Sequence, residues 1–140
     1  MRFEYDDGGR QDAGFKGKTG DCVTRAISIA TGKPYLEIYK ALSDGCKNDK
    51  KCKKRSARNG VPTKHEWFKA YMNSLGWEWT PTMEIGSGCK VHLDGDELPP
   101  GRLIVRVTKH YCAVIDGVLH DTRDCSRGGT RCVYGYWSKN

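Results

Sequence analysis

Between positions 21 and 32 the apolar residues recur at helical spacing: Cys22, Val23, Ala26, Ile27 and Ala30, with Gly32 closing the segment. A second helix is expected directly after it. Pro34 suits its first turn, and Tyr35, Ile38, Tyr39 and Leu42 form one face. Helices so close in sequence should pack as a hairpin or a bent pair. Residues 44–61 read as a loop, opened by Ser43-Asp44-Gly45 and ended by Asn59-Gly60. A third helix is expected from near Thr63, whose hydroxyl can cap while Glu66 reciprocates. Trp67, Phe68, Tyr71 and Leu75 line its apolar side, and Gly76 stops it.

Beyond Gly76 the period shifts toward two. Strands are expected over 77–80, 90–93, 103–108, 110–115, 118–121 and 132–137, with a short one over 1–5 and a loop from there to Gly20. Asp116-Gly117 between two apolar runs predicts a two-residue hairpin, because both positions of a type I′ turn need positive φ. Helices first and an antiparallel sheet after them define an α+β domain. The 140 residues suit one such domain, 1–140, with the basic segment 44–61 as an insertion.

Composition narrows the class. Hydrophobic content of 37% and four Trp give apolar surface to bury and exclude a disordered chain. No apolar run approaches the ~18–20 residues a membrane span needs. The opening MRFEYDDGGRQD lacks the apolar core of a secretory signal, so a soluble cytoplasmic protein with no membrane partner is expected. Seven Cys, an odd number, argue for reduced thiols over a complete disulfide framework. The net charge of +7 attracts acidic partners without defining a nucleic-acid binder.

Cys22 falls at the start of the first helix, after Gly20-Asp21. There the helix dipole and unpaired amides favour a thiolate, and the same amides can bind an oxyanion. The alternative is a small buried residue on an apolar helix face. The hairpin supplies a base. If Ile115 pairs with Val118, His110 lies opposite Arg123 and Cys112 opposite Asp121, which puts His110 and Asp121 diagonally on one face. Asp116 is at the far end, roughly 20 Å away at ~3.3 Å per residue, and His120 faces the other side. Of the nearby acids the hairpin therefore selects Asp121, which can fix the imidazole tautomer and stabilise its charged form. An exposed strand-end His beside a surface Asp is the plainer reading of the same pair.

The segment Gly20-Asp21-Cys22-Val23-Thr24-Arg25-Ala26 resembles the nucleophile region of papain-like cysteine peptidases. Lys109 to Asp121, KHYCAVIDGVLHD, resembles their His strand, hairpin and acid strand. The likeness covers about residues 18–42 and 100–125 and is nearest to compact bacterial and phage members and to bacteriocin-leader peptidases. It implies a papain-like fold, the order Cys22, His110, Asp121, no cofactor, and a peptide or protein substrate. Amidase, deamidase and transglutaminase-like outcomes use the same residues. Such peptidases usually place a Gln or Asn several residues before the Cys to complete the oxyanion hole. Here the position six before is Lys16, and the only upstream amide is Gln11, so Gln11, Lys16 and Lys18 are the oxyanion candidates.

Rival readings remain open. The basic run Lys47, Lys50, Lys51, Lys53, Lys54, Arg55 and Arg58 holds one acid, Asp49, and can track phosphates or an acidic partner electrostatically. It lacks the interleaved aromatics of base stacking and otherwise reads as a solvated loop. For a metal, Cys89-x2-His92 has the best spacing, but no close Cys pair supports a structural zinc module, so none is assigned. Cys46 with Cys52, or Cys125 with Cys132, suit local disulfides in an oxidising setting. A papain-like module that keeps the fold and has lost the chemistry is the last alternative.

Overall fold

The computed structural model describes residues 1–16, 20–51, 56–84 and 86–139. Among them lie three helices, α1 (Cys22–Thr31), α2 (Tyr35–Asn48) and α3 (Glu66–Ser74). The strands are β1 (Arg2–Tyr5), β2 (Trp77–Pro81), β3 (Arg102–Val107), β4 (His110–Ile115), β5 (Val118–Asp121) and β6 (Gly135–Lys139). They form one six-stranded sheet in the order β1-β5-β4-β3-β6-β2. The α+β expectation holds. The sheet is mixed rather than antiparallel, because β1 pairs parallel with β5, from Arg2↔Val118 to Tyr5↔Asp121. No sequence pattern reports that pairing: all four β1 residues are exposed, as an edge strand allows.

Strand alternation sends side chains to two cores. Ile104, Tyr111, Ala113 and Trp137 join Ala26, Ile27, Ala30, Ile38, Leu42, Phe68 and Met72 of the helices. Leu103, Val105, Val107, Cys112, Val114 and Leu119 face the other way, under Leu93, Leu98, Cys125 and Val133 from the connecting segments. Helix α1 packs on β4 through small residues, Ala26 and Ala30, which let the helix axis approach the sheet closely. Gly32 ends α1 as foreseen, with φ 74° and its N–H donating to Ser28 O at 2.9 Å.

The Asp116-Gly117 turn has φ of 48° and 79°, and the hairpin register is the expected one, with Ile115↔Val118 and Ala113↔His120. A second two-residue turn, Thr108-Lys109, joins Val107 to His110, with Lys109 at φ 54°. The strand expected over 103–108 therefore sits one residue earlier, over Arg102–Val107.

Other expectations are corrected. Helix α2 continues through Ser43-Asp44-Gly45 to Asn48, so the loop does not open at 44. Gly45 survives there because its missing Cβ makes room for the Trp67 ring. Helix α3 begins at Glu66 rather than near Thr63, with His65 at its N-cap and no side-chain cap, so the Thr63–Glu66 capping pair does not form. Segment 90–93 contributes only an isolated bridge, His92↔Cys132, instead of a strand, and the last strand starts at Gly135 instead of Cys132. Cys89 and Cys132 form a disulfide, against the fully reduced expectation, while Cys125 remains a thiol and does not pair with Cys132. Cys52 lies outside the described residues. Among the described residues no helix is long and apolar enough to cross a membrane.

Gly45 gives a direct check on the helical packing. In an unobstructed helix Gly→Ala stabilises by roughly 0.5–1 kcal/mol. Here the added methyl overlaps Trp67, so Gly45→Ala is expected to destabilise by about 1–3 kcal/mol. A urea midpoint that rises instead would contradict the contact between α2 and α3.

Candidate active site

The N-terminus of α1 meets the start of β4 and the end of β5. The β4–β5 ladder pairs no residues beyond Ala113↔His120. Past that point a side-chain link takes over: His110 Nε2–H donates to Asp121 Oδ2 at 2.6 Å. With Nε2 engaged, Nδ1 is the nitrogen left to face Cys22, beside which it lines the cleft and whose thiol it draws down. The Tyr111 backbone amide favours the same thiolate. Thus Cys22, His110 and Asp121 are assembled in one row.

The acid is held from three sides. Its Oδ1 accepts from its neighbour Thr122 N–H at 2.7 Å, and Arg25 Nη2 lies 3.4 Å from the same oxygen. Its backbone is paired to Tyr5 of β1, and its carbonyl accepts from Asp6 N–H at 2.9 Å. Arg25 also pairs with Asp21, one turn earlier on α1. Asp21 is 1% exposed and binds Arg10 Nε at 3.1 Å and the Tyr35 hydroxyl at 2.6 Å. Because the Asp21 side chain is committed there, it does not cap the helix whose N-cap it occupies. The first amides of α1, at Cys22 and Val23, are left without that side-chain acceptor.

Burial pushes the Cys22 thiol up, but the His110 hydrogen bond and charge, the Tyr111 amide and the Arg25 charge outweigh it. The net shift is downward from 9.0. Burial alone would depress His110; the bonds to Asp121, Cys125 and Cys22 reverse that and push it up to about 11. Burial likewise raises Asp121, and His110 and Arg25 with the Thr122 amide bring it below 3.8. All three shifts favour the charged forms, the thiolate, imidazolium and carboxylate.

A fourth group escaped the sequence reading. Cys125 Sγ donates to Asp121 Oδ2 at 3.7 Å, and Cys125 helps hold the His110 cation. The Cys112 hydrogen bond draws Cys125 down to about 6 despite burial, with His110 assisting. Cys112 is pushed up by the same contact and by full burial. Cys125 is 5% exposed, whereas Cys22 opens on a cleft of about 920 Å³. Access therefore separates two thiols that share one imidazole.

Gln11 and Lys16 both line that cleft. The Gln11 N–H donates to Asp7 Oδ2 at 3.0 Å, and the Lys16 carbonyl accepts from Arg10 Nη2 at 3.0 Å. Lys18 lies outside the described residues. Another amide is better anchored. Asn59 also lines the cleft, and a Cβ on Gly20 would sit 2.6 Å from its Oδ1. The Ser56↔Asn59 bridge and the Thr24 Oγ1–Ala57 O bond, 2.6 Å, tie this segment to α1. Only the glycine two before Cys22 hinted at such a close approach in sequence. Of the polyanion candidates, Lys50 and Lys51 are exposed, and Lys53, Lys54 and Arg55 lie outside the described residues.

Comparison with protein-family models, curated proteins and solved structures finds no match to this chain.

Two outcomes follow from the charge chain. Asp21→Ala strips the acceptor from Arg10, Arg25 and Tyr35 and is expected to cost on the order of 3–5 kcal/mol in urea unfolding. A loss under about 1 kcal/mol would contradict a buried network. For pH, the depressed Asp121 contributes stability above 3.8 that is lost as pH falls through its folded value. The raised His110 contributes fully below 6.5 and loses its contribution as pH rises through about 11. Asp121→Asn should therefore flatten the acid limb of a stability–pH profile. An unchanged acid limb would remove Asp121 from the account.

Proposed function

We propose that this chain is a cysteine-dependent acyl-transfer hydrolase of papain-like design, acting on peptide or protein substrates. The observation that carries the reading is the row itself: a helix-start thiol drawn down by an imidazole that a buried carboxylate holds. The chemistry follows from the protonation states. The Cys22 thiolate attacks the scissile carbonyl carbon, and its electron pair moves onto oxygen. The α1 amides at Cys22 and Val23, with the Asn59 side-chain amide, are the donors for that oxyanion. His110 gives its proton to the leaving amine as the C–N bond breaks, leaving a thioester on Cys22. Neutral His110 then takes a proton from water, the hydroxide equivalent attacks the thioester, and the acid leaves as the thiol is released. Asp121 keeps the ring oriented and its cation stabilised throughout.

The cleft wall carries exposed Lys16, Lys109 and Arg123. A substrate with carboxylates near the scissile bond gains from them electrostatically. Cys22 must stay reduced to react, and it is a free thiol beside the oxidised Cys89–Cys132 pair.

A generic ester tests this without a known substrate. With p-nitrophenyl acetate, the wild type should give a burst of nitrophenolate as Cys22 is acetylated. Cys22→Ser should abolish it, and Cys125→Ser should not. Asn59→Ala should slow acylation by about 10²–10³-fold, the usual weight of one oxyanion donor. A burst that survives Cys22→Ser, or is absent from the wild type, overturns the hydrolase reading in favour of a papain-like module without chemistry.

One observation favours a second activity alongside the first. Asp49, the acid of the basic run, faces inward: its Oδ2 accepts from His65 Nδ1 at 2.5 Å and Trp67 Nε1 at 2.7 Å. The His65 bond draws its carboxyl down to about 2. Exposed Lys47, Lys50, Lys51 and Arg58 thus present cations with their one local acid turned away. A polyanion, nucleic acid or an acidic protein tail, would bind there by charge. Binding of a single-stranded oligonucleotide should fall steeply with salt and weaken in Lys50→Ala/Lys51→Ala. Salt-independent binding would contradict a phosphate contact.

A further inference from the structure

Cys89, His92 and Cys132 converge although 89 and 132 are 43 residues apart. The two segments are zipped together: Leu93 N–H donates to Arg131 O at 2.7 Å, Val133 N–H donates to Val91 O at 2.8 Å, and His92 bridges Cys132. The ligand-capable atoms of the three side chains lie within 4.8 Å of one another. His92 Nδ1–H donates to Glu97 Oε1 at 3.1 Å, which leaves Nε2 as the free nitrogen. A carboxylate on the far nitrogen is the arrangement that orients an imidazole toward a metal and raises its basicity.

We propose that, with Cys89 and Cys132 reduced, this cluster is a zinc site. Two thiolates and an imidazole are the donor set that suits Zn²⁺, and three protein ligands leave the fourth tetrahedral position to solvent. Cys89 is exposed and its partners are half-buried, so the ion enters from water. At Zn–S of about 2.3 Å, tetrahedral sulfurs sit roughly 3.7 Å apart. The bonded pair needs only side-chain rotation to reach that spacing. Cys112 and Cys125, also in sulfur contact, are thiols in the same fold, so the chain does not join every neighbouring sulfur pair.

The chemistry balances. A phosphine reductant with water gives two electrons and two protons to the Cys89–Cys132 bond, yielding two thiols and phosphine oxide. Zn²⁺ then displaces both thiol protons to the buffer. The ion does for residues 86–101, a connection without regular helix or strand, what the disulfide does otherwise: it pins that connection beside β6 over the core of Leu93, Leu98 and Val133.

The test uses the full chain, held anaerobically in a phosphine reductant and titrated with Zn²⁺ or Co²⁺. The expected results are one zinc per chain by elemental analysis and, with Co²⁺, a thiolate charge-transfer band with intense tetrahedral visible bands. His92→Ala and Cys132→Ser should lose stoichiometric binding, and Glu97→Gln should weaken it about 10–100-fold. Cys125→Ser should bind normally, which separates this site from the His110, Asp121 and Cys125 cluster. Should a variant misfold, the wild type still decides: zinc should protect Cys89 and Cys132 from alkylation. No zinc bound by the reduced wild type, no such protection, or full binding in folded Cys132→Ser overturns the proposal and leaves a plain disulfide.

Discussion

The fold around the cleft depends on one buried cation, Arg25. It stands on α1 between Asp21 of its own helix and Asp121 at the end of β5. Without it, two carboxylates would face each other in a site nearly closed to water, a costly arrangement in low dielectric. With it, α1 is locked to the sheet at the turn that also carries Cys22. Arg10, Arg25 and the His110 imidazolium offset Asp21, Asp121 and the Cys22 thiolate. Arg10 and Arg25 already balance Asp21 and Asp121, so a Cys22 thiolate with a His110 imidazolium adds no net charge to the site. Structural charge pairing and chemical competence are here the same set of contacts.

That network explains what was legible beforehand. The hairpin at Asp116-Gly117 carries its own turn chemistry, so its register, and with it the choice of Asp121 over Asp116 and His120, follows from local sequence. Helix α1 announces itself by period and by Gly32. The roles of Asp21, Arg25, Arg10 and Tyr35 were not legible, because a buried charge network is specified by who meets whom across the chain. Cys125 and Asn59 were missed for the same reason: each reaches the site from a connecting segment with no periodic signal. Helix α2 outran its expected end because Gly45, a local breaker, is justified by a tertiary partner, Trp67, twenty-two positions later in the chain.

The long connections of this protein are held by isolated bridges and side-chain ties rather than by long strand ladders. Segment 56–59 is fastened by Thr24 and by its own bridge, and segment 86–101 by the pairing around Cys89, His92 and Cys132. Both fastenings border the sheet that positions His110.

The most direct measurement is the rate of iodoacetamide labelling of each cysteine in the folded protein against pH, mapped by mass spectrometry in wild type and His110→Ala. The account predicts that Cys22 reacts fastest, that its rate holds below pH 9 where an ordinary thiol fades, and that this advantage disappears without His110. A Cys22 that reacts no faster than the other accessible thiols, or keeps its advantage in His110→Ala, would contradict it.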